Sequence, residues 1–253
     1  MYARRTVLKG AASLPLAAIL ASPELARAAA GATEPVTLTT AGGRSVNAAL
    51  ALPATTPAAA VLLVHEWWGL NDQIRSMAVE FAAQGYVALA VDLYDGKVAK
   101  APEEAQKLMM AVSAEAATDT LASWIAWLRA SLKVNDRIAT VGWCFGGGWS
   151  LNASIAAPVD ATVVYYGNVA RKAEDLVKLN GPVLGHFATR DGWINKDMVA
   201  GFEAEMKKAG QVAVVNWYEA DHAFANPTTA RYDAEDAALA WSRTLEFLKA
   251  NLS

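Results

Sequence analysis

Two kinds of apolar pattern alternate along the chain. Short, continuous apolar runs are typical of strands that are covered on both faces of a sheet. Between these runs, apolar residues recur every three or four positions, as they do in amphipathic helices. The predicted strands are residues 36–40, 46–52, 60–64, 86–91, 138–143, 161–166, 182–188 and 212–218.

The predicted helices lie between these strands, and this order predicts an α/β protein with a mostly parallel central sheet and helices on both faces. Gly42 and Gly43 separate the first two strands, so we expect an antiparallel hairpin at one edge of the sheet. Two of the helices cover about 196–209 and 230–250. The inward-facing stripes are Ile74, Met77, Ala78 and Phe81 in the first helix, Leu121, Trp124, Ile125 and Leu128 in the region that begins at Pro102, and Ala238, Trp241, Leu245 and Leu248 in the last helix.

Residues 1–28 are predicted to be a signal peptide that is removed from the mature protein. Arg4-Arg5 precedes a short stretch of small and apolar residues at 10–21, and Ala26-Arg27-Ala28 has the small residues of a cleavage site. The paired arginines indicate the twin-arginine export route. We therefore expect a periplasmic or secreted protein, with residues 29–253 forming a single α/β domain.

Charge and composition narrow the range of partners. The net charge is −3, so the chain has no electrostatic basis for binding nucleic acid or an anionic membrane. The apolar stretch at 10–21 is too short to span a bilayer and contains Pro15, so no stable membrane anchor is expected. A single cysteine excludes an internal disulfide and a cysteine-rich metal cluster, and no metal site is predicted. Both a monomer and a dimer remain open.

That cysteine is the main candidate for a catalytic nucleophile. It lies in Gly142-Trp143-Cys144-Phe145-Gly146, between a predicted strand and a helix predicted over 147–157. This is the pattern of a nucleophile elbow, with a thiol in place of the usual serine. We expect the N–H groups and the dipole at the start of the helix to favour the thiolate. The alternative is a buried structural cysteine.

A histidine and an aspartate follow later strands and complete a candidate triad. His222 lies in the loop after the last strand and could exchange a proton with the thiol. Asp191 follows the preceding strand and could orient the imidazole. The order nucleophile, acid, histidine is that of α/β-hydrolases. The alternatives are a solvated loop histidine and an ordinary turn aspartate, while His65 and His186 are interpreted as structural.

The loop after the strand at 60–64 is predicted to form an oxyanion hole. The backbone N–H groups of Trp67 and Phe145 could hold the oxyanion that develops during attack on a carbonyl. Glu66 would raise the pKa of the thiol unless it accepts the thiol proton, so we expect a resting thiol that is bonded to Glu66. The alternative is a surface glutamate that pairs with Arg75.

Taken together, these motifs resemble the dienelactone hydrolase family of cysteine α/β-hydrolases over nearly all of residues 29–253. The resemblance implies the α/β-hydrolase fold and a Cys144–His222–Asp191 triad assisted by Glu66. It also implies hydrolysis of a cyclic enol-lactone or a similar ester through a thioester, without a cofactor. The matching residues are 65–71 with Arg75, 92–94, 142–147, Asp191 and 222–224, and the predicted substrate pocket comprises Trp68, Tyr94, Lys97, Trp143 and Trp193.

The chain departs from this family at two positions. Members that act on dienelactone hold the substrate carboxylate with two arginines, where this chain has Asp95-Gly96-Lys97 and Ala225-Asn226. Lys97 could replace one positive charge but not the bidentate geometry of an arginine. The resemblance therefore predicts the fold and the chemistry of an ester or lactone hydrolase more closely than its small-molecule substrate.

Two other classes of protein remain possible from the sequence. The first is a binding protein on a hydrolase scaffold, with Trp67, Trp68, Trp143 and Trp193 as an aromatic pocket. The second is a thiol redox sensor, although the chain has no second cysteine that could resolve an oxidised thiol.

Overall fold

A computed structural model describes residues 23–253, so most of the predicted signal peptide lies outside the described residues. Strands and helices alternate along this part of the chain. The strands are β1 (Glu34–Thr39), β2 (Ser45–Ala51), β3 (Ala58–Val64), β4 (Val87–Val91), β5 (Val134–Trp143), β6 (Ala161–Tyr165), β7 (Val183–Ala188) and β8 (Ala213–Tyr218). The helices are α1 (Pro23–Ala30), α2 (Asp72–Ala83), α3 (Pro102–Ala111), α4 (Ala114–Ala130), α5 (Phe145–Ala156), α6 (Ala173–Leu176), α7 (Lys196–Lys208) and α8 (Ala234–Leu252).

The strands described here form one sheet in the order β1-β2-β4-β3-β5-β6-β7-β8. β1 pairs antiparallel with β2, and β2 pairs antiparallel with β4. All the remaining neighbours are parallel. The predicted α/β class, with an antiparallel edge on a mostly parallel sheet, is therefore confirmed.

Both faces of the sheet are covered, which explains the continuous apolar runs in the sequence. In β3, Val61 and Leu63 pack on the side of α2 and α8, whereas Leu62 and Val64 pack on the side of α4. Successive side chains of a strand point to opposite faces, so a strand between two helical layers is apolar at every position. A third cluster joins α7 to β7 through Phe202 and Phe187.

The order of the strands places a crevice at the centre of the sheet. The two neighbours of β3 are β4 on one side and β5 on the other. The chain therefore leaves the carboxyl ends of β3 and β5 in different directions, and such a switch point is where open α/β sheets bind ligands. Glu66 follows β3 and Cys144 follows β5, so both lie at this point.

Helix α8 confirms three of its four predicted core-facing residues, since Leu248 is buried and Trp241 and Leu245 pack against the core, and it differs from the prediction at Ala238. Ala238 is exposed, whereas Ala240, Thr244, Leu248 and Leu252 are buried. The buried Thr244 hydroxyl lies 3.0 Å from His186 Nε2 and 2.6 Å from the Tyr165 hydroxyl. An apolar pattern cannot reveal a buried polar residue whose partners come from other strands.

Helix α1 contains the predicted cleavage motif and packs against α2. The Ser76 hydroxyl donates to the Ala26 carbonyl at 2.7 Å, and Arg27 Nε lies 3.9 Å from Asp72 Oδ2. No helix within residues 23–253 has both the length and the apolar character that a bilayer span requires.

Candidate active site

Cys144 lies on a sharp turn between β5 and α5. Its backbone adopts φ 54° and ψ −118°, a conformation that non-glycine residues rarely adopt and that is often held at functional sites. The flanking glycines are required because a Cβ at Gly142 would overlap the carbonyl of Gly146, and a Cβ at Gly146 would overlap the carbonyls of Val64 and His65. The turn therefore presents the side chain of Cys144 at the end of the sheet.

The structure brings together the three side chains of the candidate triad. Cys144 Sγ lies 3.1 Å from His222 Nε2, and His222 Nδ1 lies 2.6 Å from Asp191 Oδ2. When Nδ1 donates to the carboxylate, Nε2 is left to accept the thiol proton. Since Cys144 keeps part of its surface exposed, the alternative of a sealed structural cysteine does not fit.

Asp191 is held as a carboxylate. Burial raises its pKa, but the hydrogen bonds from His222 and from the Ile194 and Trp193 amides outweigh burial and bring the pKa below its ordinary value. Those two amides donate to Oδ1 at 3.0 and 2.8 Å, which leaves Oδ2 for the imidazole. Asp191 is therefore both a turn residue and the partner of the imidazole, because Oδ1 accepts from the turn amides and Oδ2 faces His222.

The other two histidines have partners of their own. His65 lies 2.6 Å from the Glu66 carbonyl through Nδ1 and accepts from the Leu93 amide through Nε2 at 3.2 Å. His186 lies 2.7 Å from the Tyr218 hydroxyl, and burial lowers its pKa to about 3. Both are buried in the positions expected of structural histidines.

The thiol is neutral at rest. Burial and the charge of Glu66 raise the pKa of Cys144 to about 12, and Asp191 adds to the increase. The N–H groups of Phe145 and Trp67 oppose this shift without overcoming it. The start of the helix favours the thiolate as expected, through the Phe145 amide, but desolvation outweighs this effect and the net shift of the pKa is upward. Nevertheless, both amides predicted for the oxyanion hole act on the sulfur.

Glu66 is buried, with 3% of its surface exposed, and its two hydrogen-bond partners differ from those expected from the sequence. Its Oε2 accepts from Asn226 Nδ2 at 2.5 Å, and its Oε1 accepts from the Tyr166 hydroxyl at 3.3 Å. The expected hydrogen bond from the thiol to Glu66 is absent, since Sγ faces His222 instead. The alternative pairing with Arg75 is also wrong, because Glu66 is not on the surface.

The electrostatics of Glu66 follow from this enclosure. Burial raises its pKa above the ordinary value, while Asn226, His222, Tyr166 and Arg231 each lower it in part. Tyr166 follows the carboxyl end of β6, the same position that led us to Glu66 and Cys144. That signal could have identified Tyr166, whereas nothing in the sequence pairs Asn226 with a residue 160 positions away.

The predicted pocket residues lie in different surroundings. Trp193 is 66% exposed, and its ring meets the His222 ring edge-on at 5.1 Å, which places it at the mouth of the site. Tyr94 packs against Phe145 at 5.7 Å and, with Lys97, lines a cavity of about 160 Å³. Trp68 is half-buried beside Trp67, with 5.0 Å between their rings.

Trp143 is the exception among the predicted pocket residues. Its side chain is 4% exposed and stacks on Tyr165 at 5.6 Å, within the core cluster that also contains Val141. Val141 and Trp143 are two positions apart on β5 and share one face of the sheet. Trp143 therefore packs in the core, as the apolar residues that precede it on β5 do.

Within residues 23–253, no three His, Cys, Asp or Glu side chains are grouped so that they could hold a metal ion. Two other aspartates in this part of the chain pair with basic side chains. Asp221 lies 3.5 Å from Arg190, and Asp175 lies 2.8 Å from Lys178. The site is therefore built from a thiol, an imidazole, two carboxylates and backbone amides, a set suited to acyl transfer.

Comparison with known proteins assigns these features to one family. The sequence pattern of the Dienelactone hydrolase family matches residues 46–252. A carboxymethylenebutenolidase from Pseudomonas putida is 29% identical over 85% of this chain and 96% of its own length. Carboxymethylenebutenolidase 1 of Cupriavidus pinatubonensis is 27% identical, with 84% and 95% coverage. The solved structure of a dienelactone hydrolase-like promiscuous phosphotriesterase from metagenomic libraries is similar in fold, with a TM-score of 0.78, 21% identity, and 88% and 100% coverage.

Proposed function

The chain belongs to the dienelactone hydrolase family, and we propose that it is a carboxylic ester hydrolase in which Cys144 attacks the carbonyl of an ester or lactone. The observation that supports this mechanism best is the continuous contact from sulfur to imidazole to carboxylate, at 3.1 and 2.6 Å. Nucleophilic catalysis by a thiol requires a base at this distance, and the base requires a group that orients it.

Acylation begins from the neutral thiol. Because burial and Glu66 keep the thiol protonated, its proton passes to His222 Nε2 as sulfur attacks the carbonyl carbon. The carbonyl oxygen gains the negative charge and accepts hydrogen bonds from the Trp67 and Phe145 amides. Asp191 stabilises the imidazolium. When the tetrahedral intermediate collapses, the C–O bond breaks and His222 protonates the leaving oxygen.

Deacylation uses the same groups in reverse. His222 removes a proton from water, the resulting hydroxide attacks the thioester carbonyl, and the amides again hold the oxyanion. The C–S bond then breaks, the acid product leaves, and the imidazolium returns the proton to sulfur. For a lactone, the alcohol formed in acylation stays tethered to the acyl group, so deacylation competes with closure of the ring.

We test the proposal with wild-type protein and Cys144→Ala on p-nitrophenyl acetate and a panel of lactones. We expect Cys144→Ala to lower kcat/KM on the order of 10³-fold or more, as loss of a nucleophile does elsewhere. Mass spectrometry of wild-type protein quenched during turnover should detect a thioester on residue 144. Equal turnover by both proteins would contradict the mechanism, and a ligand-induced change in tryptophan fluorescence without turnover would indicate a binding protein.

We also propose that the protein is exported by the twin-arginine route. The support is the sequence alone: Arg4-Arg5, the apolar stretch at 10–21 and the cleavage motif that ends at Ala28. In cells, replacing both arginines with lysine should retain the precursor in the cytoplasm, while the exported protein should begin at Ala29. Export that is unaffected by the two substitutions would contradict this route.

A further inference from the structure

We propose that Asn226 is a positioning residue that holds the Glu66 carboxylate away from Cys144, so that the thiol is bonded to His222 before substrate arrives. This inference rests on the proposed function, since it concerns the state of the proposed nucleophile. It differs from the expectation drawn from the sequence, in which Glu66 accepts the thiol proton and substrate displaces it.

Both oxygens of Glu66 are occupied by donors other than the thiol. Asn226 Nδ2 donates to Oε2 at 2.5 Å, and the Tyr166 hydroxyl donates to Oε1 at 3.3 Å. Of the two hydrogen bonds, the one from Asn226 lowers the pKa of Glu66 more. A buried carboxylate needs such donors, since each unmade hydrogen bond to a charged group is costly. Asn226 therefore supplies the main reason for Glu66 to face away from sulfur.

Asn226 is itself fixed in one orientation. Its side chain is buried, with 2% of its surface exposed. Its Oδ1 accepts from the Thr228 amide at 2.9 Å and from the Thr228 hydroxyl at 2.7 Å. Because two donors face Oδ1, this atom must be the acceptor, and the NH₂ group is left for Glu66. The turn at 226–228 thus presents a donor to Glu66 and nothing else.

The groups around Glu66 decide where the carboxylate would turn if this donor were lost. His222, Tyr166, Arg231 and Cys144 all interact with its charge. The Tyr166 hydroxyl is already bonded to Oε1, and His222 is bonded to Asp191 and Cys144. The thiol, whose pKa the charge of Glu66 already raises, is then a donor that Glu66 could take from His222. Released Glu66 would compete with His222 for the proton of the nucleophile.

This arrangement has a consequence for the substrates that the site accepts. When a protein amide holds Glu66, no group on the substrate has to displace the carboxylate before the thiol can reach His222. The thiol is therefore ready for attack with an uncharged ester as well as with an anionic one. Asn226 therefore keeps Cys144 bonded to His222 even when no substrate is bound.

The test measures alkylation of Cys144 by iodoacetamide, which needs no ester turnover. The sulfur is the single thiol of the chain, so labelling reports on it alone. In Asn226→Leu, we expect alkylation at pH 7.5 to slow about tenfold, which corresponds to a rise of about one unit in the thiol pKa. In the Glu66→Gln background, the same substitution should have little effect, because Asn226 acts through Glu66.

A matched control and a second variant keep the test decisive. Thr228→Val removes a hydroxyl from the same turn but leaves the donor to Glu66, so it should be alkylated at the wild-type rate. Asn226→Asp keeps Oδ1 and replaces the donor with a second carboxylate, which forms the bond to Glu66 only while the two share a proton. Its alkylation rate relative to wild type should therefore fall as pH rises from 6 to 9.

The inference is overturned if Asn226→Leu is alkylated at the wild-type rate or faster, or if it slows equally in the Glu66→Gln background. Should Asn226→Leu fail to fold, a pH-independent rate ratio for Asn226→Asp overturns it instead. Failure of the proposed function is distinguishable, because absence of esterase activity in wild-type protein leaves the alkylation results unaffected.

Discussion

At the scale of single residues, the candidate chemistry depends on which donor meets which acceptor. Asp191 divides its two oxygens between backbone amides and His222, and Glu66 divides its two oxygens between Asn226 and Tyr166. Two carboxylates near one thiol therefore take different roles, because one is bonded to the imidazole and the other is held by neutral donors. Charge alone does not distinguish them.

The first prediction concerns the carboxylate that is bonded to the imidazole. Asp191→Asn should lower kcat for ester hydrolysis by roughly 10³-fold, since an amide at this position favours the wrong imidazole tautomer and cannot stabilise the imidazolium. The matched control is Asp221→Asn, whose carboxylate pairs with Arg190 at the surface and should retain wild-type kcat. Steady-state kinetics on p-nitrophenyl acetate measure both, and comparable losses in the two variants would contradict the prediction.

The second prediction concerns the pH dependence of stability at Glu66. Burial raises its pKa in the folded protein, so ionisation of Glu66 costs folding free energy as pH rises above about 4.3, the ordinary pKa of glutamate. Glu66→Gln removes this cost. Its free energy of unfolding relative to wild type should therefore increase between pH 5 and pH 8 in urea titrations. A difference that is constant with pH would show that Glu66 does not titrate in this way.

At the scale of secondary-structure elements, the turn from β5 to α5 carries the main constraint. The strand places Cys144 at the carboxyl edge of the sheet, and the helix begins at the next residue, so the amide of Phe145 faces the sulfur. The two flanking glycines are needed because backbone from β3 and α5 occupies the space that their side chains would fill. The two glycines therefore meet both the local requirement of the sharp turn and the close tertiary packing around it.

The third prediction tests that constraint. Gly146→Ala should destabilise the protein by about 3 kcal/mol or more, because the new methyl group overlaps the carbonyls of Val64 and His65 and backbone cannot move aside cheaply. The control is Gly201→Ala in the exposed part of α7, which meets no neighbouring atom and should stabilise by roughly 0.5–1 kcal/mol. Urea unfolding of both variants measures the difference, and similar effects in the two would refute it.

At the scale of the whole molecule, the sheet order determines where the site lies, and the N-terminal helix is an addition to that sheet. The family pattern begins at residue 46, within β2, and so does not include α1. Helix α1 accepts one hydrogen bond from Ser76, forms one long ion pair with α2, and buries the small side chains of Ala26, Ala29 and Ala30. The hydrolase domain should therefore fold and act without the residues before Ala29.

The fourth prediction follows from this division. A protein that begins at Ala29 should keep the wild-type kcat/KM and lose a few degrees in Tm relative to one that begins at Pro23, because only the contacts of residues 23–28 with α2 are removed. Differential scanning calorimetry and ester kinetics on the two proteins measure this. Loss of activity on truncation would show instead that α1 supports the site.

Some of these features follow from the sequence alone, because they depend on neighbours along the chain. Apolar runs predicted the strands of the sheet, and the glycines around Cys144 predicted the turn. The bounds differ mainly where polar residues enter a strand, as in β5, which begins at Val134 rather than at the predicted residue 138. Asp191 and His222 were identified because each follows a strand whose carboxyl end faces the same crevice.

Other features were decided by tertiary structure, because they depend on residues that are distant in sequence. The partner of Glu66 lies 160 positions away, and Trp143 is in the core because β5 pairs with β6 beside Tyr165. Sequence period determines which face of a strand or helix is apolar, since it reflects local backbone geometry. Which polar atoms meet inside the fold depends on how the strands are ordered, and only the assembled sheet decides that.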